Sequence, residues 1–176
     1  MMFTETAIPG AFIIEPERLE DHRGFFARTW CEREVRAHGL TTRWVQSSIS
    51  YNKRRGTLRG LHYQLPPHEE AKLIRCTMGA IYDVIVDLRR DSPAFKQHVA
   101  VTLSSENRLM LYVPEGCAHG FQTLENDTEV FYQISQFHSP QHGRGARWDD
   151  PALAIPWPSA ERIILERDRN YPDFSV

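Results

Sequence analysis

Short apolar runs separated by turn residues fill most of this sequence, and they limit the possible folds more than any other feature. AKLIRCTM and AIYDVIVDLR are strand-length segments, and Gly79 between them favours a tight turn. A succession of such segments along a whole chain is typical of an all-β sandwich or barrel. The other predicted strands are GAFIIEP, RWVQSSISY, GTLRGLHYQ, QHVAVTLS, RLMLYVP, GFQTLE and TEVFYQISQF.

Two segments favour short helical structure. CEREVRAHGL predicts a helix that ends at Gly39. The tail segment SAERIILERDRNYPDF predicts one turn of helix followed by an extended end. The fold prediction is therefore an all-β chain with short helical segments.

Length and composition exclude several classes of protein. The 176 residues fit one domain, which we predict to span residues 1–176. With 21 basic and 23 acidic residues, the charge is nearly balanced and does not indicate nucleic acid as a partner. The N-terminal segment has neither a signal-peptide pattern nor a membrane-spanning run. Cys31, Cys76 and Cys117 show no metal-binding spacing, so we expect free thiols in a reducing, cytoplasmic environment.

Three predicted strands each place one polar residue on an otherwise apolar face. By strand alternation Lys72 shares a face with Ile74, Cys76 and Met78. Asp83 likewise shares a face with Ile81 and Ile85, and Tyr132 with Val130 and Ile134. Burying such groups without partners costs a few kcal/mol each. We therefore expect them to meet in a partly polar cavity that holds one small ligand.

Histidines near the middle of the chain raise the possibility of a metal site. A metal-binding cupin would have two histidines one residue apart, a carboxylate and a later histidine. Here the first motif reads HYQ from His62, and only His119 supplies a later histidine. Two ligands fall short of the three protein ligands of a catalytic zinc site. We interpret His68, Glu69 and Glu70 as a solvated turn, so metal binding through His62 and His119 is the minor alternative.

Seven ordered motifs between about Ile8 and Pro172 resemble the dTDP-4-dehydrorhamnose 3,5-epimerases, which are metal-independent members of the cupin superfamily. The motifs are DHRGFF, RGTLRGLHYQ, AKLIRCTMGAIYDVIVDLRRDSPAF, LSSENRLMLYVPEGCAHGFQTL, TEVFYQ, RWDDPALAIPWP and LERDRNYP. The resemblance implies a cupin-type jelly-roll β-sandwich, a homodimer and no cofactor. It also implies epimerisation at C3, C5 or both of a nucleotide-linked 4-keto-6-deoxyhexose, with dTDP expected as the nucleotide, in rhamnose-type deoxysugar biosynthesis.

The chemistry of that reaction assigns roles to the matching residues. A ketone acidifies the neighbouring C–H, and inversion needs a base on one face of the sugar and a proton donor on the other. By resemblance His62 is the base, Asp168 orients it and Tyr132 is the acid. Lys72 would stabilise the enolate oxygen, and Asp83 could be the partner that keeps Lys72 charged.

Further matches suggest how the substrate is bound. His119 would contact the sugar or polarise the ketone. Arg23 and Arg59 match positions that hold the pyrophosphate, for which guanidinium groups are well suited. The residues that fall where family members bind the base and ribose are Gln46, Ser47 and Ser48.

Several positions depart from the family pattern. The usual QDN reads QSS, Arg28 replaces a glutamate, Gly143 aligns with another glutamate, and His138 replaces a tyrosine. Arg167 is a mild change beside the tail aspartate, and we count Arg28, His138 and Arg167 among the candidate substrate contacts. These departures leave open a CDP-linked or other substrate and epimerisation at one carbon only. A non-catalytic sugar-nucleotide-binding cupin is a separate alternative, which the retained His62, Asp168 and Tyr132 disfavour.

Overall fold

The computed structural model describes residues 1–174, which form two six-stranded sheets, a separate hairpin and two short helices. The strands of the first sheet, in spatial order, are β1 (Met2–Glu5), β2 (Phe12–Glu15), β10 (Met110–Val113), β7 (Lys72–Met78), β12 (Thr128–Ile134) and β5 (Gln46–Asn52). Those of the second are β13 (Gly143–Gly145), β6 (Thr57–Gln64), β11 (Cys117–Thr123), β8 (Ala80–Asp87) and β9 (His98–Ser104), with β14 (Ile163–Ile164) beside β6.

The remaining elements are the hairpin of β3 (Arg18–Asp21) and β4 (Gly24–Ala27) and the helices α1 (Glu32–Ala37) and α2 (Glu166–Arg169). All strand pairs are antiparallel except β14 with β6. This architecture confirms the predicted all-β, jelly-roll-type sandwich with short helical segments. Among residues 1–174, no helix is long and apolar enough to cross a bilayer.

The core between the sheets follows the predicted alternation. Ile74 and Cys76 of β7 pack in one cluster with Ile81 and Ile85 of β8. Tyr132 is partly buried against the same cluster. Met78, which was expected on this face, is instead exposed, because it lies at the end of β7 where the pairing with β12 shifts register. Alternation therefore placed the interior side chains correctly except at a strand end.

Most of the predicted strands are present in the structure, and the strands that the sequence did not predict share one property. The structure adds β1, the hairpin β3–β4, β13 and β14, and β11 begins at Cys117 rather than at Gly120. These added strands are short, and every residue of β3 is exposed. A strand without a buried face shows no apolar alternation from which it could be predicted.

The turn at Gly79 is confirmed. Its φ is +72°, a conformation that favours glycine, and an added Cβ would lie 2.5 Å from Thr128 Oγ1. The three cysteines are free thiols, and Cys76 and Cys117 are buried. Burial raises the pKa of the Cys76 thiol to about 11 and that of Cys117 to about 12, so both are unreactive at neutral pH.

Candidate active site

A cleft between the two sheets is lined by polar side chains from both. It has two lobes, of about 500 Å³ and about 560 Å³, which meet at His62, His119, Tyr132 and Arg167. The first lobe runs along β6 and the segment 163–168, and the second runs along the start of β5 and β7 and the loop 138–144. A concave site of this size with few convergent polar groups suits a small-molecule ligand.

Two glycines let the strands that carry the histidines approach each other closely. His62 of β6 lies opposite His119 of β11 in the antiparallel register. A Cβ added to Gly60 would lie 2.6 Å from the Cα of Gly120, and the φ of Gly60 is +112°. Glycine is therefore required at Gly60 for both conformation and space, and this close approach sets the two imidazoles side by side in the cleft.

His62 forms a dyad with Asp168, as its position in the motifs implied. The Nε2 atom of His62 lies 2.9 Å from Oδ1 of Asp168, which α2 brings to the strand. The backbone N–H of Gly60 donates to Asp168 Oδ2 at 3.2 Å. Arg167 Nε donates to Asp168 Oδ1 at 3.2 Å. Because Asp168 is buried and His62 about one third exposed, the carboxylate is fixed while the imidazole faces the cleft.

This geometry determines which nitrogen of His62 can act as a base. An ionised carboxylate only accepts hydrogen bonds, so the proton of neutral His62 is assigned to Nε2, and Nδ1 carries the free lone pair. Arg167 Nη2 lies 3.5 Å from the same Nε2. A guanidinium can only donate, so beside a protonated Nε2 this contact contributes charge rather than a hydrogen bond.

The charge of Asp168 is favoured by its surroundings. Burial alone would raise its pKa, but hydrogen bonds from His62, Gly60 and Arg167 outweigh burial and hold the pKa of Asp168 below its ordinary value of 3.8. The carboxylate is thus ionised at any pH at which a neutral histidine could accept a proton. It can therefore stabilise the imidazolium that forms.

Asp168 should also contribute to stability in a pH-dependent way. Because its pKa is lower in the folded than in the unfolded chain, its stabilisation is present above the ordinary value of 3.8 and is lost as the pH falls through the folded-state pKa. We expect Asp168→Asn to be less stable than the wild type near neutrality, with the difference shrinking between about pH 5 and about pH 2. Urea unfolding of both proteins across this pH range measures the difference in their free energies of unfolding. A difference that grows on acidification would contradict this prediction.

Tyr132 approaches the cleft from the opposite sheet. It lies on β12, half-buried, with its ring 5.9 Å from that of His119 in an edge-on arrangement. Burial, together with the negative charge of Asp83, raises the pKa of the Tyr132 phenol, against the opposing effect of Arg59. The phenol is therefore protonated at neutral pH and can act as a donor from the wall that faces His62.

Lys72 lies in the second lobe, but its direct partner is not the predicted one. Its Nζ forms an ion pair of 2.9 Å with Glu70 Oε1 and lies 3.4 Å from the carbonyl oxygen of His62. Asp83 was proposed as this partner and instead lies 2.7 Å from His119 Nε2. Lys72 acts on Asp83 only through its charge, which opposes the rise in the pKa of Asp83.

Asp83 and His119 thus form a second histidine–carboxylate pair beside the first. Asp83 is fully buried, and burial raises its pKa although the neighbouring His119 and Lys72 oppose the shift. Its Oδ2 atom has no partner among the side chains and backbone groups of residues 1–174. The pair orients His119 toward the sugar-sized space where the two lobes meet.

The predicted substrate contacts divide into two groups. Arg59 lines the first lobe, with its Nε held 2.7 Å from Asn52 Oδ1. Gln46, Ser48 and His138 line the second lobe, whereas Ser47 lines neither.

Two predicted arginine contacts lie outside the cleft of this chain. Arg23 is at the tip of the β3–β4 hairpin, paired with Asp21 and 78% exposed, and Arg28 pairs with Glu34. Neither lines the cleft, so within one chain the structure does not bring them to the dyad.

The interpretation of His68, Glu69 and Glu70 as a solvated turn is wrong. The His68 ring packs against His142 in a tilted arrangement with 4.2 Å between ring centres, and the Glu70 side chain is only 13% exposed in the cleft. The reason is that this loop packs on the loop 137–143 instead of projecting into solvent. Among the described residues no group of three or more His, Cys, Asp or Glu side chains is arranged to hold a metal ion. His62 and His119 each direct Nε2 to a carboxylate.

Glu70 and Tyr171 line the cleft beside Lys72 and His62 but were not among the sequence candidates. Glu70 was assigned to solvent because Pro66 and Pro67 favour a turn, and only its position two residues before Lys72 could have indicated a shared face. The Tyr171 ring lies edge-on to His62 at 6.2 Å and packs against Gly145, where a Cβ would lie 2.1 Å from the ring. Its place three residues after Asp168, directly beyond the end of α2, was the available signal.

The chain is similar to known proteins along almost its whole length. The family model described as dTDP-4-dehydrorhamnose 3,5-epimerase matches residues 5–175. A dTDP-4-dehydrorhamnose 3,5-epimerase of Sinorhizobium fredii is 41% identical over 173 residues, which covers 98% of this chain and 89% of the relative.

Two solved structures show the same fold along the whole chain. A dTDP-4-dehydrorhamnose 3,5-epimerase of Bacillus anthracis, with TDP and PPi bound, has a TM-score of 0.95 and 43% identity, covering 98% of this chain and 99% of that one. An epimerase of Legionella pneumophila in complex with dTDP-4-keto-L-rhamnose has a TM-score of 0.88 and 36% identity, covering 95% and 89%. From the family match and this degree of identity, the chain belongs to the dTDP-4-dehydrorhamnose 3,5-epimerase family.

Proposed function

We propose that this protein is an isomerase that inverts C3, C5 or both of a dTDP-linked 4-keto-6-deoxyhexose. The observation that carries the proposal is the dyad of His62 on β6 and Asp168 on α2, which lines the same cleft as Tyr132 on the opposite sheet. A base and an acid on opposite walls are the arrangement that inversion of a carbon centre requires. The dTDP nucleotide is proposed from the relatives, of which one binds TDP and another a dTDP-linked ketosugar.

Each of these residues has a distinct role in the proposed reaction. His62 Nδ1 removes the proton from the carbon beside the ketone, and the electron pair moves onto the ketone oxygen as an enolate. Asp168 stabilises the imidazolium. The ammonium of Lys72 stabilises the enolate oxygen, assisted by the His119 side chain. Tyr132 then delivers its proton to the opposite face of the carbon, which inverts it.

The shape of the cleft suggests where the substrate lies. The sugar ring would occupy the junction of the lobes, since His62, His119 and Tyr132 line both. Arg59, Gln46, Ser48, His138 and Arg167 would contact the parts of the substrate beyond the ring. No metal or other cofactor enters this mechanism, because His62, Tyr132 and Lys72 supply the base, the acid and the positive charge.

Hydrogen exchange tests the proposed function directly. Incubation of the enzyme with a dTDP-4-keto-6-deoxyhexose in D2O should introduce deuterium at C3, C5 or both, and NMR of the product identifies the carbon. Parallel incubations with CDP- and UDP-linked ketosugars decide the nucleotide. Absence of deuterium with all three substrates would contradict the proposal.

We also propose that the protein is a cytoplasmic homodimer of single-domain chains, each folding over residues 1–176, with the β3–β4 hairpin at the interface. Leu19 and Phe26 lie directly opposite each other on one face of this hairpin and are each 69% exposed, whereas Phe25, on the other face, is 44% exposed. Paired large apolar side chains with this exposure are typical of a contact site. A hairpin that packs on a second copy would also give Arg23 a route to a substrate pyrophosphate, which it lacks within its own chain.

The hairpin contact can be tested through the oligomeric state. Phe26→Asp should convert a dimer into a monomer in sedimentation velocity, since burial of a carboxylate in an apolar contact is unfavourable. Met78→Asp is the matched control, because Met78 is an exposed apolar residue outside the hairpin. A monomeric wild type, or a Phe26→Asp protein that stays dimeric, would contradict the proposal.

A further inference from the structure

Glu70 and Lys72 form an ion pair in the second lobe of the cleft, and both side chains are largely buried. The two atoms are 2.9 Å apart, and the side chains are 13% and 9% exposed. Removing both charges from water is costly, and such pairs often add little to stability. A contribution to folding alone is therefore a weak explanation for a carboxylate at this position.

The loop that carries Glu70 is held in place on both sides. The Gln64 amide donates to the carbonyl of His68 at 2.8 Å and accepts from the N–H of Ser139 at 2.6 Å. The Ala71 N–H donates to Ser135 Oγ at 2.8 Å. These bonds fix the backbone around Glu70, so that its carboxylate is a preorganised partner rather than a mobile surface group.

Among residues 1–174, no other carboxylate is in direct contact with Lys72. Asp83 lies near enough to act through space, but its Oδ1 is bonded to His119 and no contact to the Lys72 amine is formed. The remaining polar contact of the ammonium, with the carbonyl of His62, is long at 3.4 Å. Glu70 is therefore the group that determines where the Lys72 charge sits relative to the sugar.

We propose that Glu70 is a positioning residue that holds the Lys72 ammonium against the enolate oxygen. The inference rests on the proposed function, in which Lys72 stabilises the enolate. Glu70 does not touch the reacting carbon in this scheme; it acts only by fixing the amine, and a lysine side chain without a partner samples many rotamers. The amine is then in place before the proton is removed, so no reorganisation is needed in the transition state.

A double-mutant cycle tests this coupling. Glu70→Ala should lower kcat about 10-fold with KM changed less than about 3-fold, because an interaction specific to the transition state is weakened. Glu70→Gln retains an acceptor oxygen at the same length and should recover most of the loss. In a Lys72→Met background, Glu70→Ala should cause no further loss, within about 2-fold. The rate of deuterium exchange should follow kcat in each variant.

Two outcomes would overturn the proposal. An equal loss from Glu70→Ala with and without Lys72 would show that Glu70 serves the loop rather than the amine. Glu69→Ala is the matched control, because Glu69 lies on the same loop but lines a separate surface cavity beside Tyr112 and Arg89. A loss as large for Glu69→Ala would likewise contradict a specific role for Glu70.

A crystal structure of the Glu70→Ala protein separates this inference from the proposed function. The Lys72 amine should move from its wild-type position, whatever reaction the enzyme catalyses, and an unmoved amine would overturn the positioning role. If the wild type exchanges no hydrogen with any ketosugar, the proposed function fails, while this structural comparison still decides whether Glu70 positions Lys72.

Discussion

Replacement of His62 by alanine is expected to lower kcat by about 100-fold or more while leaving substrate affinity within a few-fold of wild type. The imidazole is held by a buried carboxylate and is partly exposed to the ligand space. Its loss removes the base but leaves Arg59 and the second-lobe residues in place to bind the substrate. Turnover and deuterium exchange should fall together, since both need the proton to leave carbon.

Asp168→Asn extends this test to the orienting carboxylate. The amide has almost the same shape but no charge, so the imidazolium loses its stabilisation and kcat should fall by about 10-fold or more. Asp149→Asn is a suitable control, because Asp149 is an exposed aspartate that pairs with Arg147 away from the cleft. Wild-type rates of exchange in either the His62→Ala or the Asp168→Asn protein would remove the dyad from the mechanism.

Tyr132→Phe is expected to separate proton removal from inversion. His62 can still take the proton, exchange it with solvent and return it to the same face, so deuterium should continue to enter the substrate. Net inversion should fall by about 100-fold, because the proton donor on the opposite sheet is lost. Proton NMR of the substrate and product pools distinguishes exchange from inversion in a single time course.

Tyr82→Phe provides the control for the loss of a tyrosine hydroxyl. Tyr82 lies on the outer face of β8, packed against Trp157 at 6.2 Å between ring centres, and should tolerate the change. If Tyr132→Phe reduces exchange and inversion equally, the assignment of base and acid to opposite faces is wrong. Because burial raises the pKa of the Tyr132 phenol, it is protonated at the start of each cycle as this scheme requires.

Much of the fold could be read from local patterns. The alternation in β7, β8 and β12 correctly placed Ile74, Ile81 and Val130 in the core, and it placed Lys72, Asp83 and Tyr132 on faces that turn inward. Alternation is reliable there because both sheets bury one face against the other. The exposed β3 and the two-residue β14 carry no such pattern and were missed.

The partners of the polar residues could not be read in the same way. Lys72 was expected to pair with Asp83, yet Asp83 bonds His119 and Lys72 meets Glu70, which had been assigned to solvent. Strand alternation predicts the face of the sheet on which a side chain lies. It does not predict which residue of another strand or loop that side chain contacts. That choice depends on sheet register and on the packing of the loop 65–70 against the loop 137–143.

The sequence by itself determined the all-β class, the inward faces of the central strands and, through its ordered motifs, the histidine, tyrosine and aspartate of the proposed reaction. Only the tertiary structure gave the 2.9 Å contact between Asp168 and His62, which are 106 positions apart in the chain, and left Arg23 outside the cleft. The physical reason is that side-chain direction along a strand is set by its neighbours in sequence, whereas contacts between distant segments depend on how sheets, loops and the C-terminal helix pack together.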